Sequence, residues 1–590
     1  MPSRVAKIAV LALGALALAP ATVASAQECP EDAQCAKVTV PLDHKGGTPG
    51  TLDLAYAKLP ATGTRAGTLV LLSGGPGQAA LPILNDFAEL LEPLRSTYDI
   101  VAVDQRGTGG SGAVDCEIDK SEDVAACATQ LGNRRAFWST AETAHDLENL
   151  RTALGVDKLT LFGVSYGTQV AQEYVRRYPA QTAAIILDSP TPVDGLDGVD
   201  ELRTFGAPRV LKEVCYPGIC AETVTDASEA LAAAVERLGD DTLRGPRVTR
   251  SGRVRTARVS QVALYNLIAL SDTNPLLRAG LPAAIASLAD GDAAPLIHLV
   301  EVTAGDGSSS SSGTAISRLL ATSCMEARLP WAPDSAVATR TDALKAFVAA
   351  RSEAFAPFDP EVVLGNSLAE LCAQWPPTPK PEGVPYAGPN VPVLILAGRQ
   401  DLRTPLESAR RTQAQYPNAR LVAVRSAGHS VLSTDLTGCA ATNTVAFLTG
   451  EEVRNCSDIS ARDRAALPSA PFIPASISDL RPTGTSGSAG QTFSAVRVTL
   501  TGIAFDTAGV PSSRSFRLPG LRAGYITGKG SSLTLHGVEW VHGVRVSGTL
   551  RGSNGTLTVS GSQAAAGTIR FTRTSATGTL GGRTFTVRGS

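Results

Sequence analysis

The sequence lacks the ligand patterns of a metal site. It has no Cys-x-x-Cys pair, and none of its six histidines lies near a pair of cysteines. Structural zinc sites, by contrast, combine closely spaced cysteines and histidines. We therefore predict that the protein binds no metal and needs no cofactor.

A long hydrophobic run occurs only near the N-terminus. Residues 8–19 are apolar, follow Arg4 and Lys7, and precede the small residues Ala24-Ser-Ala26. This order is typical of a secretory signal peptide, and the run is too short to span a membrane. We predict that residues 1–26 direct export, and that the mature protein is secreted, extracellular or associated with the cell envelope, without stable membrane insertion.

Acidic residues are scarce after residue 480. From Arg481 to the C-terminus there are twelve lysines and arginines but two acids, while the whole chain has a formal net charge of −2. The part of the chain before residue 481 is therefore acidic, and the C-terminal module is basic. Together with Trp540 and Tyr525, the arginines of this module could bind an anionic polymer of the cell envelope. The alternative is that these basic residues lie on solvent-exposed strand faces and bind no polymer. Nucleic acid is not expected as a partner of such an exported chain.

The ten cysteines fall into five pairs of near neighbours in the sequence. In an oxidising compartment this favours disulfides, although sequence alone does not fix the connectivity. We predict nearest-neighbour bonds between Cys29 and Cys35, Cys116 and Cys127, Cys215 and Cys220, Cys324 and Cys372, and Cys439 and Cys456.

The central motif of the chain is Gly163-Val-Ser165-Tyr-Gly167. A short apolar run rich in β-formers precedes it, and an amphipathic run, 168–178, follows it. Strand, sharp turn and helix are the context of the nucleophile elbow of α/β-hydrolases. Gly-x-Ser-x-Gly also occurs in ordinary loops, but here the context favours Ser165 as a nucleophile.

The wider pattern predicts an α/β fold with a doubly wound, mostly parallel sheet, because strands alternate with helices. Six such strands are predicted before residue 190, and two more at 391–397 and 419–425. We assign residues 27–194 and 389–460 to an α/β-hydrolase catalytic domain with an inserted helical cap at 195–388. A Pro-, Ser- and Gly-rich linker at 461–490 leads to a basic all-β module at 491–590.

Chain order selects the partners of Ser165. In α/β-hydrolases the acid and then the histidine follow the serine. His429 follows the last predicted strand of the sheet, and Asp401 follows the strand before it, whereas Asp188 at the end of an earlier strand is the rival acid. Serine needs a base to take its proton, and the base needs a carboxylate to orient it.

The expected oxyanion hole consists of two backbone N–H groups. One belongs to Tyr166, the residue after the nucleophile, and the other to the loop after the third strand, Ser73-Gly-Gly-Pro-Gly77, near Gly75.

Together these motifs resemble the secreted tripeptidyl and prolyl aminopeptidase family of α/β-hydrolases, the proline iminopeptidase-like serine peptidases. The resemblance covers about residues 36–457 and implies release of residues or short peptides from free N-termini by Ser165, Asp401 and His429. Ser73 replaces the histidine that prolyl aminopeptidases carry before Gly-Gly-Pro-Gly, which weakens a claim of proline specificity. The matching motifs are Gly74-Gly-Pro-Gly77, Asp104-Gln-Arg-Gly-Thr108, Gly163-Val-Ser-Tyr-Gly167, Gly398-x-x-Asp401 with Thr404-Pro405, Gly428-His429 and Cys372-Ala-Gln-Trp375-Pro376.

An exopeptidase must recognise the protonated α-amine of its peptide substrate. Glu326, next to Cys324 in the predicted cap, is our candidate carboxylate, and a solvated glutamate on a helix face is the alternative. A secreted carboxylesterase or lipase on the same fold is the alternative function, because both reactions proceed through an acyl-enzyme. A binding protein in which the β module does the work is a third hypothesis.

Overall fold

The computed structural model describes residues 29–588, with gaps at 115, 117, 119–120, 193, 217, 219, 221–222, 240–242, 306–314, 366, 380–389, 459, 461–463, 465–466 and 469–470. The predicted signal peptide lies outside the described residues. The chain divides into two compact units. The first comprises Met1–Gly206 and Ser310–Ala466, and the second comprises Ala207–Ser309 and Leu467–Ser590.

The strands in chain order are β1 (Gln34–Pro41), β2 (Thr51–Leu59), β3 (Gly67–Leu72), β4 (Tyr98–Val103), β5 (Leu159–Val164), β6 (Thr182–Asp188), β7 (Leu243–Val248), β8 (Val254–Val259), β9 (Val393–Gly398), β10 (Arg420–Val424), β11 (Ser515–Pro519), β12 (Ala523–Lys529), β13 (Ser532–Glu539), β14 (Arg545–Arg551), β15 (Asn554–Ser560), β16 (Gly567–Phe571), β17 (Ser575–Leu580) and β18 (Arg583–Arg588). The α-helices are α1 (Leu84–Leu90), α2 (Ser121–Leu131), α3 (Thr140–Leu154), α4 (Tyr166–Arg177), α5 (Glu201–Val214), α6 (Ala227–Leu238), α7 (Gln261–Leu270), α8 (Pro275–Ala289), α9 (Ala294–Gly305), α10 (Ile316–Glu326), α11 (Val337–Ala349), α12 (Pro360–Leu364), α13 (Leu368–Cys372), α14 (Leu406–Gln413), α15 (Val431–Thr434), α16 (Cys439–Thr449) and α17 (Gly487–Thr507).

The first unit is built on an eight-stranded sheet in the order β1-β2-β4-β3-β5-β6-β9-β10. The pairs β1–β2 and β2–β4 are antiparallel, and every later pair in this order is parallel. Helices cover both faces of a parallel sheet, so its strands are continuous apolar runs, as in Leu69–Leu72, which is fully buried. The predicted α/β-hydrolase architecture is confirmed.

The parallel strands bring distant parts of the chain to one edge of the sheet. The carboxyl ends of parallel strands meet at the same edge, which is where ligands bind in such folds. The loops after β3, β5, β9 and β10 begin there, and they contain the Gly-Gly-Pro-Gly motif, Ser165, Asp401 and His429, respectively. Asp188 is the last residue of β6 and lies at the same edge.

The region predicted as one helical cap, 195–388, differs from that prediction in two ways. Residues 207–309 belong to the second unit, while the rest stays with the sheet unit. It also contains an antiparallel hairpin, β7 and β8, besides its helices. In this hairpin Val248 and Val259 are buried, while the arginines between them are exposed.

The C-terminal sheet of the second unit is an eight-stranded antiparallel meander, β11 to β18 in sequence order. The all-antiparallel sheet confirms the expected β module, but the helix α17 was not expected and begins inside the predicted linker. Its sequence is rich in β-branched residues and glycine, which are poor helix formers. Packing overrides propensity, because Ala489, Phe493, Val496 and Ile503 at helical spacing are buried in the core of this module.

All ten cysteines form the predicted nearest-neighbour disulfides. Such bonds persist in oxidising environments, so they indicate an extracellular setting. In the part of the chain that the structure describes, no helix combines the length and the apolar character needed to cross a bilayer.

Candidate active site

Ser165 lies on a strained turn between β5 and α4. Its backbone has φ 54° and ψ −120°, a rare conformation for a residue with a side chain. The turn is crowded: a Cβ on Gly163 would lie 2.5 Å from the carbonyl oxygen of Gly167, and one on Gly167 would lie 2.1 Å from that of Leu72. Both glycines of the motif are therefore sterically required. The crowding holds the serine at the sheet edge.

His429 and Asp401 form a buried pair on the loops after β10 and β9. His429 Nδ1 lies 3.1 Å from Asp401 Oδ2, and the two side chains are 3% and 0% exposed. The backbones of these loops also touch, since a Cβ on Gly398 would lie 2.3 Å from the carbonyl oxygen of Gly428. This contact explains the glycine at position 398.

The carboxylate of Asp401 is held by three further hydrogen bonds. The backbone N–H groups of Arg403 and Thr404 donate to Oδ1 at 2.9 and 2.8 Å, and the Thr404 hydroxyl donates to Oδ2 at 2.9 Å. Burial alone raises the pKa of Asp401, but the adjacent His429 and these hydrogen bonds outweigh it and hold the pKa below its usual value. Asp401 is therefore ionised at neutral pH. No role of Thr404 could be read from the sequence, although this residue is part of the Asp401 motif.

Asp188, the rival acid, has a different set of partners. Its carboxylate accepts hydrogen bonds from the backbone N–H groups of Val431 and Leu432 at 2.6 and 2.8 Å. Burial raises its pKa to about 6. These bonds cap the start of α15, directly after His429. The geometry therefore favours Asp401 as the partner of the imidazole.

The end of β6 also connects the serine turn to the histidine loop. The N–H of Ser165 donates to the carbonyl oxygen of Asp188 at 2.9 Å, and the N–H of Ser430 donates to Ser189 Oγ at 2.9 Å. One dipeptide thus bonds to the nucleophile turn and to the residue after His429. Ser165 and His429 are held on adjoining loops in this way.

The loop after β3 packs against the side chain of Ser165. A Cβ on Gly74 would lie 2.9 Å from Ser165 Cβ and 3.4 Å from its Oγ, so Gly74 is the glycine in contact with the serine. Gln105 Nε2 donates to the carbonyl oxygen of Ser73 at 2.8 Å and fixes the start of this loop. Gln105 belongs to a motif that marked the family resemblance, yet the sequence did not reveal what it holds.

Gly75 and Tyr166, the predicted oxyanion residues, flank this contact. Gly75 has a φ of 108°, which favours glycine. Tyr166 is the first residue of α4, and the first N–H groups of a helix have no partner within the helix. The side chain of Tyr166 is buried, and its hydroxyl lies 2.9 Å from Thr140 Oγ1.

Glu326, the predicted amine-binding carboxylate, ends α10. Its Oε1 accepts a hydrogen bond from the backbone N–H of Thr140 at 2.8 Å, and its Oε2 accepts one from the Thr140 hydroxyl. Thr140 is the first residue of α3, so the carboxylate also interacts favourably with the positive end of that helix. Glu326 is half-buried. Its position next to Thr140 could not be derived from sequence spacing, because the two residues are 186 positions apart.

Comparison with known families and proteins identifies the fold and its relatives. Residues 67–212 match the family described as alpha/beta hydrolase fold, and residues 359–458 match the family described as TAP-like protein. Serine protease Hip1 of Mycobacterium tuberculosis is 27% identical over 422 residues, which are 64% of this chain and 78% of that protein. Tripeptidyl aminopeptidase of Streptomyces lividans is 25% identical over 450 residues, covering 68% of this chain and 78% of that protein.

A shorter match is to an enzyme with a different name. Carboxylesterase B of M. tuberculosis is 31% identical over 150 residues, 25% of this chain and 27% of that protein. The two longer matches confirm the resemblance to serine peptidases of the α/β-hydrolase fold that the motifs indicate.

Proposed function

We propose that this α/β-hydrolase is a secreted serine aminopeptidase that releases residues or short peptides, of the tripeptidyl or prolyl type, from free N-termini. The observation that carries the proposal is the buried pair of His429 and Asp401 on loops adjoining the strained Ser165 turn. The names of two relatives that match over more than half of this chain, a serine protease and a tripeptidyl aminopeptidase, support the same reaction class.

The proposed reaction uses an acyl-enzyme. Ser165 Oγ attacks the scissile carbonyl while His429 Nε2 takes its proton, and ionised Asp401 holds the Nδ1–H and stabilises the imidazolium. Backbone N–H groups of Tyr166 and of the Gly74-Gly75 loop stabilise the tetrahedral oxyanion, each worth on the order of 3 kcal/mol. His429 then protonates the leaving amine, and water hydrolyses the acyl-enzyme by the same steps.

Glu326 is proposed to bind the α-amine of the substrate. The carboxylate is half-buried and already accepts hydrogen bonds from Thr140. A carboxylate oxygen has more than one acceptor site, so an ammonium group can bind beside the threonine.

The decisive experiment compares two chromogenic tripeptide anilides, one with a free amine and one acetylated, with the wild type and Ser165→Ala. We expect turnover of the free-amine anilide alone, and its loss in the variant. If the protein hydrolyses short-chain esters but neither anilide, the alternative function, a secreted carboxylesterase or lipase, is favoured. That outcome would agree with the short match to a carboxylesterase.

A second function, binding of an anionic cell-envelope polymer, is proposed for the C-terminal sheet. One row of paired residues crosses neighbouring strands on its outer face, with Thr534 opposite Thr549, Thr549 opposite Thr556, and Thr556 opposite Arg570. A depression of about 480 Å³ opens along this row, between Arg551 and Arg570. Neither arginine has an acidic partner among the described residues. Hydroxyl groups and free cations suit an anionic polysaccharide.

Retention of the full-length protein on anionic cell-wall material tests this proposal. We expect the wild type to elute with added salt, and the double variant Arg551→Gln/Arg570→Gln to elute at lower salt, since screening weakens such contacts. The matched control, Arg237→Gln, removes an arginine of the second unit that lies outside the C-terminal sheet. Passage of the wild type straight through at low salt would overturn the proposal.

A further inference from the structure

A buried cation lies beside the proposed catalytic turn. Arg318, on α10, is fully buried, and its Nη2 donates to Thr143 Oγ1 at 2.9 Å and to the Tyr166 hydroxyl at 3.1 Å. Among the described residues, its Nε and Nη1 have no hydrogen-bond partner. A buried guanidinium with unsatisfied donors destabilises a fold, so its presence calls for a functional explanation.

Arg318 begins a directed chain of hydrogen bonds. Arginine can only donate and a carboxylate can only accept. The Thr140 hydroxyl donates to Glu326, so the Tyr166 hydroxyl must donate to Thr140 and accept from Arg318. Burial raises the pKa of Tyr166 to about 12, which keeps its hydroxyl protonated at every working pH. The Tyr166 ring is thus fixed from two sides.

The helix that carries Arg318 also contacts the second oxyanion element. The N–H of Ala315, at the start of α10, donates to the carbonyl oxygen of Gly77 at 2.9 Å. A Cβ on Gly77 would lie 2.6 Å from the carbonyl oxygen of Ala315, so the two backbones are in direct contact. One helix therefore holds both the Gly74–Gly77 loop and the residue after the nucleophile.

We propose that Arg318 is a positioning residue for the oxyanion hole: it holds the side chain of Tyr166 so that the backbone N–H of Tyr166 stays aimed at the developing oxyanion. This inference rests on the proposed function of Ser165. The Arg318 guanidinium also lies 5.9 Å from the centre of the Tyr166 ring, so it adds positive charge near the turn. Its effect falls on the transition state, which forms the oxyanion, and not on the bound ground state.

The expected kinetic signature is a loss of kcat with little change in KM. Loss of a complete oxyanion donor costs about 100-fold or more in kcat, so misalignment of one donor in Arg318→Met should cost about tenfold. The loss should be equal for a free-amine anilide and a simple ester, because both form the oxyanion. Tyr166→Phe should give the same signature, and Arg318→Lys should recover part of the activity.

Arg340 offers a matched control within the same unit. It is 1% exposed, has an unpartnered Nε, and lies 5.9 Å from the centre of the Trp331 ring, but it donates to carbonyl oxygens around α11 and α13 instead of Tyr166. Arg340→Met should lower the melting temperature about as much as Arg318→Met and leave kcat unchanged. If Arg318→Met and Arg340→Met lose kcat equally, Arg318 has only a structural role and the proposal is wrong.

The rate at which a fluorophosphonate labels Ser165 separates this inference from the proposed function. In that reaction Ser165 Oγ bonds to phosphorus, fluoride leaves, and His429 takes the hydroxyl proton, so no peptide-binding residue is needed. No labelling of the folded wild type would overturn the proposed nucleophile. Labelling of the wild type, with Arg318→Met labelled equally fast, would overturn the role of Arg318 alone. We expect Arg318→Met to be labelled about tenfold more slowly.

Discussion

At the scale of single residues, two buried aspartates differ in their neighbours. Asp401 faces an imidazole and has a lowered pKa, whereas Asp188 accepts two backbone N–H groups and has a pKa raised to about 6. Both lie at the carboxyl-end edge of the same sheet, Asp188 as the last residue of β6 and Asp401 shortly after β9. Their neighbours, and not their residue type, decide which one can serve a catalytic histidine.

The first prediction concerns the assignment of the acid. Asp401→Asn should lower kcat by about 10⁴-fold, because an amide cannot hold the required imidazole tautomer. Asp188→Asn should cost far less activity, since Asp188 bonds to the backbone N–H groups of Val431 and Leu432, and the amide oxygen of asparagine still accepts one of these two bonds. Steady-state kinetics on a free-amine anilide measures both. A larger loss in Asp188→Asn than in Asp401→Asn would contradict the assignment.

The second prediction concerns Glu326. Glu326→Gln should lower kcat/KM for free-amine substrates by about tenfold, the value of one charged hydrogen bond, and spare simple esters. The glutamine oxygen still accepts the bond from the Thr140 backbone N–H, and its NH2 group can donate to the Thr140 hydroxyl, so the fold should be retained. The exposed Glu353, changed to Gln, is the matched control. Equal losses on anilide and ester would refute the role in amine binding.

At the scale of secondary structure, tertiary contacts determine the conformation of segments whose helix or strand propensity alone does not. The turn between β5 and α4 needs glycine on both sides because backbone atoms approach closely there. The helix α17 forms despite its β-branched residues because one face is buried. A Cβ on Gly502 of that helix would lie 2.2 Å from the Trp540 ring, so glycine there serves packing. Context thus decides between the local alternatives.

The third prediction concerns the crowded turn. Gly167→Ala places a Cβ against the carbonyl oxygen of Leu72 and should destabilise the fold by about 3 kcal/mol. Gly155→Ala is the comparison: its φ of 65° strains an alanine, but no atom lies within 4 Å, so about 1 kcal/mol is expected. Urea unfolding measures both values. If both variants lower the free energy of unfolding equally, the backbone around Gly167 can shift to accommodate a Cβ, and the prediction is wrong.

At the scale of the whole molecule, the chain divides in a way that the linear sequence conceals. Residues 207–309 join the C-terminal module in one unit, although they are inserted between two parts of the sheet unit. Each unit has its own sheet and its own core. Within the second unit, Arg522 and Asp292 form an ion pair at 2.5 Å between its two segments. Assembly of this unit therefore needs residues from both segments.

The fourth prediction concerns the stability of the whole chain as pH changes. The folded-state pKa of Asp188, about 6, is above the unfolded value near 4, so the native state binds more protons between these values. The contribution of Asp188 to stability is present below pH 4 and is lost as the pH rises through 6. Relative to Asp188→Asn, the wild type should lose about 2 kcal/mol between pH 4 and pH 7. Urea unfolding at both pH values measures this difference.

A difference between wild type and Asp188→Asn that stays constant with pH would contradict the raised pKa. The contribution of Asp401 to stability changes with pH in the opposite direction. Because its pKa is lowered in the folded state, this contribution is present above pH 4 and is lost on acidification. Asp401 is present in both the wild type and Asp188→Asn, so its contribution cancels when the two proteins are compared.

The sequence by itself determined the fold class and the order of the candidate triad, and it predicted the nearest-neighbour disulfides that the structure shows. These follow from local signals: apolar periodicity, glycines at a strained turn, closely spaced cysteines, and the fixed order of serine, acid and histidine. They need no knowledge of which distant residues meet.

Tertiary structure alone decided which side chains are neighbours. It brought Glu326 to Thr140, Arg318 to Tyr166, Asp188 to the loop after His429, and residues 207–309 to the C-terminal module. Such contacts join positions tens to hundreds of residues apart, and they depend on packing and burial that no local pattern encodes. The pKa values of the aspartates and the buried arginine beside the proposed oxyanion hole follow from those contacts, and therefore became visible only in the folded chain.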